Sequence, residues 1–111
     1  MIEPARTFAE NLAQLPPIDG VERIDLIDAD GAVIDSIANA PGKKGSLAVY
    51  QYLHRTFGTL DAQAAEAGLQ LFAEHTADAR QRHGAHPNID RLLAIAAGAP
   101  AIAVAVVAAA G

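Results

Sequence analysis

Val21-Glu-Arg-Ile-Asp-Leu-Ile-Asp-Ala-Asp-Gly-Ala-Val-Ile-Asp-Ser-Ile-Ala38 is the stretch that decides the fold class. Two runs rich in aliphatic residues, 21–27 and 33–38, flank Asp30-Gly31. That dipeptide suits a type I′ turn, whose two central positions both need φ > 0. The pattern predicts a β-hairpin. A turn centred there sets Ile24 opposite Ile37 and Leu26 opposite Asp35. Side chains alternate along a strand, so one face carries Ile24, Leu26, Val33 and Ile37 and the other Asp25, Ile27, Ile34 and Ser36. The first is the expected core side, and Asp35 is a misfit on it. Asp28, Asp30 and Asp35 have the outline of a calcium loop, but an EF-hand needs further ligands and a closing Glu, and Asp-Gly is explained by the turn alone.

Outward from the hairpin the apolar spacing becomes helical. Upstream, Phe8, Leu12 and Leu15 share one face of a helix over 4–15, with Thr7 and Glu10 spaced as a capping box. Pro16, Pro17 and Asp19-Gly20 end it. Downstream, a loop over 39–44 leads into a helix over 46–57, with Ser46 as N-cap and Gly58 as C-cap. Val49, Leu53 and Phe57 form its stripe, flanked by Leu47 and Tyr50. Asp61 is positioned to cap a longer helix running to about residue 82, whose buried stripe is Ala65, Leu69, Phe72, Thr76 and Ala79. Pro87 opens another helix, with Ile89, Leu92, Leu93 and Ala96 inward and Gly98 at its end. Past Pro100, Ile102, Val104 and Val106 alternate with Ala101, Ala103 and Ala105, which predicts a strand over 101–107.

The expected order is α-β-β-α-α-α-β. That is an α+β fold in two layers: a small antiparallel or mixed three-stranded sheet (β-hairpin plus C-terminal strand) packed against about four helices, with residues 1–111 forming a single domain. The last strand is apolar on both faces, so it is expected either centrally or with a face covered by a partner chain. A sheet this small has exposed edges, and a homodimer through an edge or an alanine-lined face is the expected assembly.

Of the 111 residues 51% are hydrophobic, with three Phe, two Tyr and no Trp. Much of the apolar content is alanine, which calls for a core of small side chains and helices close to the sheet. Eight Lys and Arg against a net charge of −5 exclude a general nucleic-acid partner. The chain has no cysteine, which excludes disulfides, thiol catalysis, iron–sulfur clusters and zinc–thiolate sites, and fits a cytoplasmic location. Glu3, Arg6 and Glu10 interrupt the N-terminus, unlike a secretory signal. Residues 92–110 carry no charge and reach spanning length, but their alanine content, Gly98, Pro100 and the period-two pattern point away from a membrane partner.

Two groups of residues could carry chemistry. Gly42, Lys43, Lys44, Gly45 and Ser46 lead into a helix. Glycines let backbone approach a ligand, a helix N-terminus offers unpaired N–H groups, and the lysines add positive charge: the parts of a site for a small anionic ligand. It is not a Walker A loop, because both lysines precede the last glycine. The second group is His75, Asp78, His83 and His86, the ligand types of a divalent metal such as zinc, iron or nickel, although their spacing matches no metal signature. No cofactor is otherwise predicted. Ser46 and His54 lie two turns apart on one helix, too far for a nucleophile–base pair, and no Gly-x-Ser-x-Gly elbow occurs. No catalytic residue is assigned.

Thr7-Phe-Ala-Glu-Asn-Leu12, Asp28-Ala-Asp-Gly31, Asn39-Ala-Pro-Gly-Lys-Lys-Gly-Ser-Leu-Ala-Val-Tyr50, Glu74-His-Thr-Ala-Asp-Ala-Arg80 and His86-Pro-Asn-Ile-Asp-Arg-Leu-Leu93 together resemble a family of short uncharacterised proteobacterial proteins, catalogued as a domain of unknown function. The resemblance spans nearly the whole chain and implies a bacterial, cytoplasmic, stand-alone domain. It supplies no activity, substrate or catalytic residue. Three functions follow from the residues: a non-catalytic binding or interaction module with an anion at the 40–46 loop, a metal-dependent enzyme using the histidines, and a structural or regulatory subunit joined through its C-terminal strand.

Overall fold

The computed structural model describes residues 3–110. In chain order the elements are α1 (Phe8–Gln14), β1 (Val21–Ile27), β2 (Val33–Ala38), α2 (Lys44–Phe57), α3 (Ala62–Phe72), α4 (Glu74–Gln81), α5 (Pro87–Ala96) and β3 (Ala103–Ala108). The strands form one antiparallel sheet in the order β2-β1-β3. The fold is α+β, as the sequence predicts. The helix-facing side of the sheet presents Ile24, Leu26, Ile37 and Val104, which join Leu47, Leu53, Leu60, Leu71, Leu92 and Ile95 in one buried cluster. Among the described residues no helix is long and apolar enough to cross a membrane.

The hairpin forms with the expected pairs, Ile24 with Ile37 and Leu26 with Asp35. Its tip differs from a type I′ turn. Gly31 has φ +86° while Asp30 keeps a negative φ, and Asp28 organises the loop: its Oδ1 accepts from the backbone N–H of both Asp30 and Ala32. A register shift between Leu26 and Ile27 then absorbs the longer loop, leaving Ile27 beside Val33. Val33, expected in the core, is 57% exposed because this shift takes it off the helix-covered part of the sheet. The central strand is β1 rather than the C-terminal strand. β3 lies at an edge, because β1 already has β2 on its other side.

Two helix boundaries also move. α2 starts at Lys44 with Lys43 as N-cap, so Ser46 sits inside the first turn and does not cap. The long helix expected to residue 82 is two helices, α3 and α4, broken at Ala73 with φ +49° and ψ −116°. The break is stitched by side chains. Asn11 Nδ2 donates to the Leu71 carbonyl at 2.9 Å, and Thr76 Oγ1 donates to the Leu69 carbonyl at 2.6 Å. Glu74 Oε1 accepts from the Phe8 N–H at 2.7 Å. Residues of the expected stripe remain buried on both sides of the break, including Leu69, Phe72, Thr76 and Ala79, which is why periodicity alone joins them.

The other caps follow local chemistry. Thr7 accepts from the Glu10 N–H to open α1, which is shorter than the expected 4–15. Asp61 accepts from the Ala64 N–H to open α3. Small side chains bring the helices together: a Cβ on Gly68 would lie 2.8 Å from a methyl of Leu53 in α2 and of Leu92 in α5.

Candidate functional site

The loop from β2 into α2 is held from its start. Asn39 Nδ2 donates to the carbonyls of Ile18 and Val21, and Lys43 N–H donates to the Ala40 carbonyl with Gly42 at φ +84°. The first backbone bond of α2 runs from Leu47 N–H to the Lys43 carbonyl. The N–H groups of residues 44–46 therefore precede the hydrogen-bonded ladder and carry the positive end of the helix dipole. Gly45 has a packing reason of its own. A Cβ there would sit 2.9 Å from the Phe8 ring, so the glycine lets α1 lie against the start of α2.

This helix start forms one wall of a cleft of about 630 Å³. Gly42, Lys43, Lys44, Gly45 and Ser46 all line it, and so do His75 and His86. The two regions singled out in the sequence thus meet in space. An aromatic wall lies between them. Phe8 stacks on Phe72 with centroids 5.2 Å apart, His75 meets Phe8 edge-on at 5.1 Å, and the His75 and His86 rings are 5.7 Å apart.

His86 is oriented from behind. Its Nε2 lies 2.6 Å from Asp78 Oδ2, and Arg82 grips the same carboxylate through Nε at 2.8 Å and a terminal nitrogen at 2.5 Å. The Arg82 guanidinium first, and the His86 hydrogen bond second, hold the Asp78 carboxyl well below the usual carboxylate range. An ionised carboxylate only accepts, so the Asp78 contact places a proton on Nε2 and leaves Nδ1 as the acceptor of the neutral ring. His83 is apart from this arrangement. It is 92% exposed and its nearest acidic neighbour is Asp90 at 3.9 Å. The expected quartet is therefore not brought together, and among the described residues no group of three or more His, Asp or Glu side chains is placed to hold a metal ion.

A polar network that the sequence reading missed supports the opposite wall. Arg91 of α5 bonds to Asp35 of β2, to Asn88 Oδ1 at 2.8 Å and to Tyr50 Oη at 3.2 Å. Tyr50 Oη donates to the Asn88 carbonyl at 2.7 Å, and the guanidinium stands 5.9 Å over its ring. Burial pushes the Tyr50 hydroxyl up to about 12, against the opposing pull of Arg91. The signal in the sequence was Asp35, the one charge on an apolar face: it had to meet a cation. Which of the eight Lys and Arg met it was not legible.

A family model described as an uncharacterised protein conserved in bacteria (DUF2322) matches residues 8–106. The chain belongs to this family. In this DUF2322 member the matched segment contains every element of the sheet and helix layers up to Val106, and with them the whole cleft and the Arg91 network. No curated protein and no solved structure matches the chain.

Proposed function

We propose that the protein is a non-catalytic binding module whose cleft holds a small anionic molecule. The observation that carries this reading is the convergence of residues 42–46 with His75 and His86 on one cleft. The start of α2 supplies unpaired N–H groups and a partial positive charge, Lys43 and Lys44 supply full charges at the rim, and Phe8, Phe72 and His75 supply a flat apolar wall for the rest of the ligand. His86, held by Asp78 through Nε2, lines the same cleft, and its Nδ1 is left to accept from a protonated oxygen of the anion, such as the hydroxyl of hydrogen phosphate. The cysteine-free composition suits a reducing compartment, and the cytoplasm is the proposed location.

Inorganic phosphate and pyrophosphate are the probes. At ten times its Kd an anion that binds only the folded state stabilises it by about 1.4 kcal/mol, which raises the Tm of a domain this size by roughly 5–10 °C. The expected result is such a rise with phosphate or pyrophosphate over chloride at equal ionic strength. It should be lost in the Lys43→Ala/Lys44→Ala double variant and reduced in His86→Ala. Equal melting in both salts, or a rise that survives the double variant, would remove the anion from this cleft.

A further inference from the structure

The two edges of the sheet are finished differently. An edge strand shows a row of N–H and C=O groups that can recruit another strand, and folded proteins blunt such rows. On β2 the device is present. Asn39 N–H bonds to the Glu22 carbonyl, so by strand alternation Ile37 and Asp35 turn their backbone groups toward β1 and Ser36 turns its own outward. The outward Ser36 N–H is taken by the Asp35 side chain at 2.8 Å.

On β3 the edge is left bare. Leu60 exchanges both backbone bonds with Ile102, at 2.9 and 3.1 Å, on the side away from β1. The same alternation turns the backbone groups of Val104 and Val106 outward, beyond the reach of Leu60. Among the described residues no strand pairs with them. No charged side chain occurs over residues 92–111. Val106 belongs to the helix-facing side, yet it is 40% exposed, so the helical layer stops short of this edge.

We propose that β3 binds β3 of a second copy, joining two three-stranded sheets into one continuous antiparallel sheet. A two-fold axis makes two identical strands antiparallel. With the axis at Val107, Val106 lies opposite the partner's Ala108, clear of the place Leu60 takes beside Ile102, and their outward N–H and C=O groups satisfy one another. Val106 is covered by an apolar neighbour, and the uncharged strands meet without like-charge repulsion. The capped Ser36 N–H directs this pairing to β3 and away from β2. The proposal is independent of the cleft.

Sedimentation of the full chain across a wide concentration range is the first test, with a dimer expected. Val106→Pro removes an outward N–H while the β1-facing bonds come from Ala105 and Val107. Val106→Lys puts a charge at a partly exposed side chain and leaves the backbone intact. Both should weaken the dimer by roughly tenfold or more while a cooperative melt persists. Val107→Cys, the sole thiol in the chain, should give a disulfide-linked dimer on mild oxidation, because facing residues at a non-hydrogen-bonded antiparallel position hold their Cβ atoms about 4.5–5.5 Å apart. A monomer at every concentration, a dimer untouched by Val106→Lys, or a failure of Val107→Cys to cross-link would each overturn the proposal.

Discussion

Arg91 and Tyr50 show what single residues do in this molecule. The guanidinium ties β2 to α5 through Asp35 and Asn88, and the buried Tyr50 hydroxyl closes the network on the Asn88 carbonyl. Tyr50→Phe leaves that carbonyl without its donor and should cost about 1–2 kcal/mol in urea unfolding at neutral pH. Burial raises the Tyr50 pKa to about 12, so the folded state holds the proton more tightly than the unfolded chain, where it leaves near 10. The linked stability is complete below pH 10 and is lost as the pH rises from 10 to about 12. Unfolding free energy measured over that window should fall with pH in the native chain, and this part of the slope should be absent in Tyr50→Phe.

Among the elements, the break between α3 and α4 has the clearest physical signature. Ala73 adopts φ +49° and ψ −116°, a conformation natural to glycine and strained for alanine. Such a residue costs about 1–3 kcal/mol, and it persists because Asn11 and Thr76 satisfy the Leu71 and Leu69 carbonyls before the break, while Glu74 ties the start of α4 to the Phe8 N–H of α1. The break turns α4 so that His75 reaches the cleft and Asp78 reaches His86. Ala73→Gly should therefore stabilise the protein by about 1 kcal/mol, the relief of strain exceeding the added chain entropy. Ala77→Gly, at an exposed position inside α4, should destabilise it by a similar amount. Thermal melts of the two variants shifting in opposite directions would confirm the assignment; a drop in both would show Ala73 to be unstrained.

At the scale of the whole molecule, the helix layer depends on close approach. α3 lies between α2 and α5, and Gly68 is where the methyl groups of Leu53 and Leu92 come nearest its backbone. Both leucines are fully buried, so their methyl groups can give way only by repacking the core around them. Gly68→Val should cost about 2 kcal/mol or more by overpacking, despite valine's better helix propensity, and chemical denaturation would measure it. A neutral result would mean that α3 can slide away from its neighbours.

Local chemistry determined the elements except for the break between α3 and α4, which rests on the distant Asn11. Alternation between residues 21 and 38 and again after Ile102 specified the three strands, and Asp61, Gly58, Pro87 and Gly98 marked helix ends through caps and turns that act within a few residues. The 42–46 loop and the histidines stood out by composition. What they form together was decided only by the tertiary structure, because each deciding contact joins residues far apart in the chain: Asn11 with Leu71, Phe8 with Glu74, Asp35 with Arg91. The same is true of the edge position of β3, since alternation states that a strand has two apolar faces and says nothing of its neighbours. Periodicity records which side of an element is buried. Only the packed chain records what it is buried against, and here that brought the start of α2, His75 and His86 to one cleft and left His83 outside it.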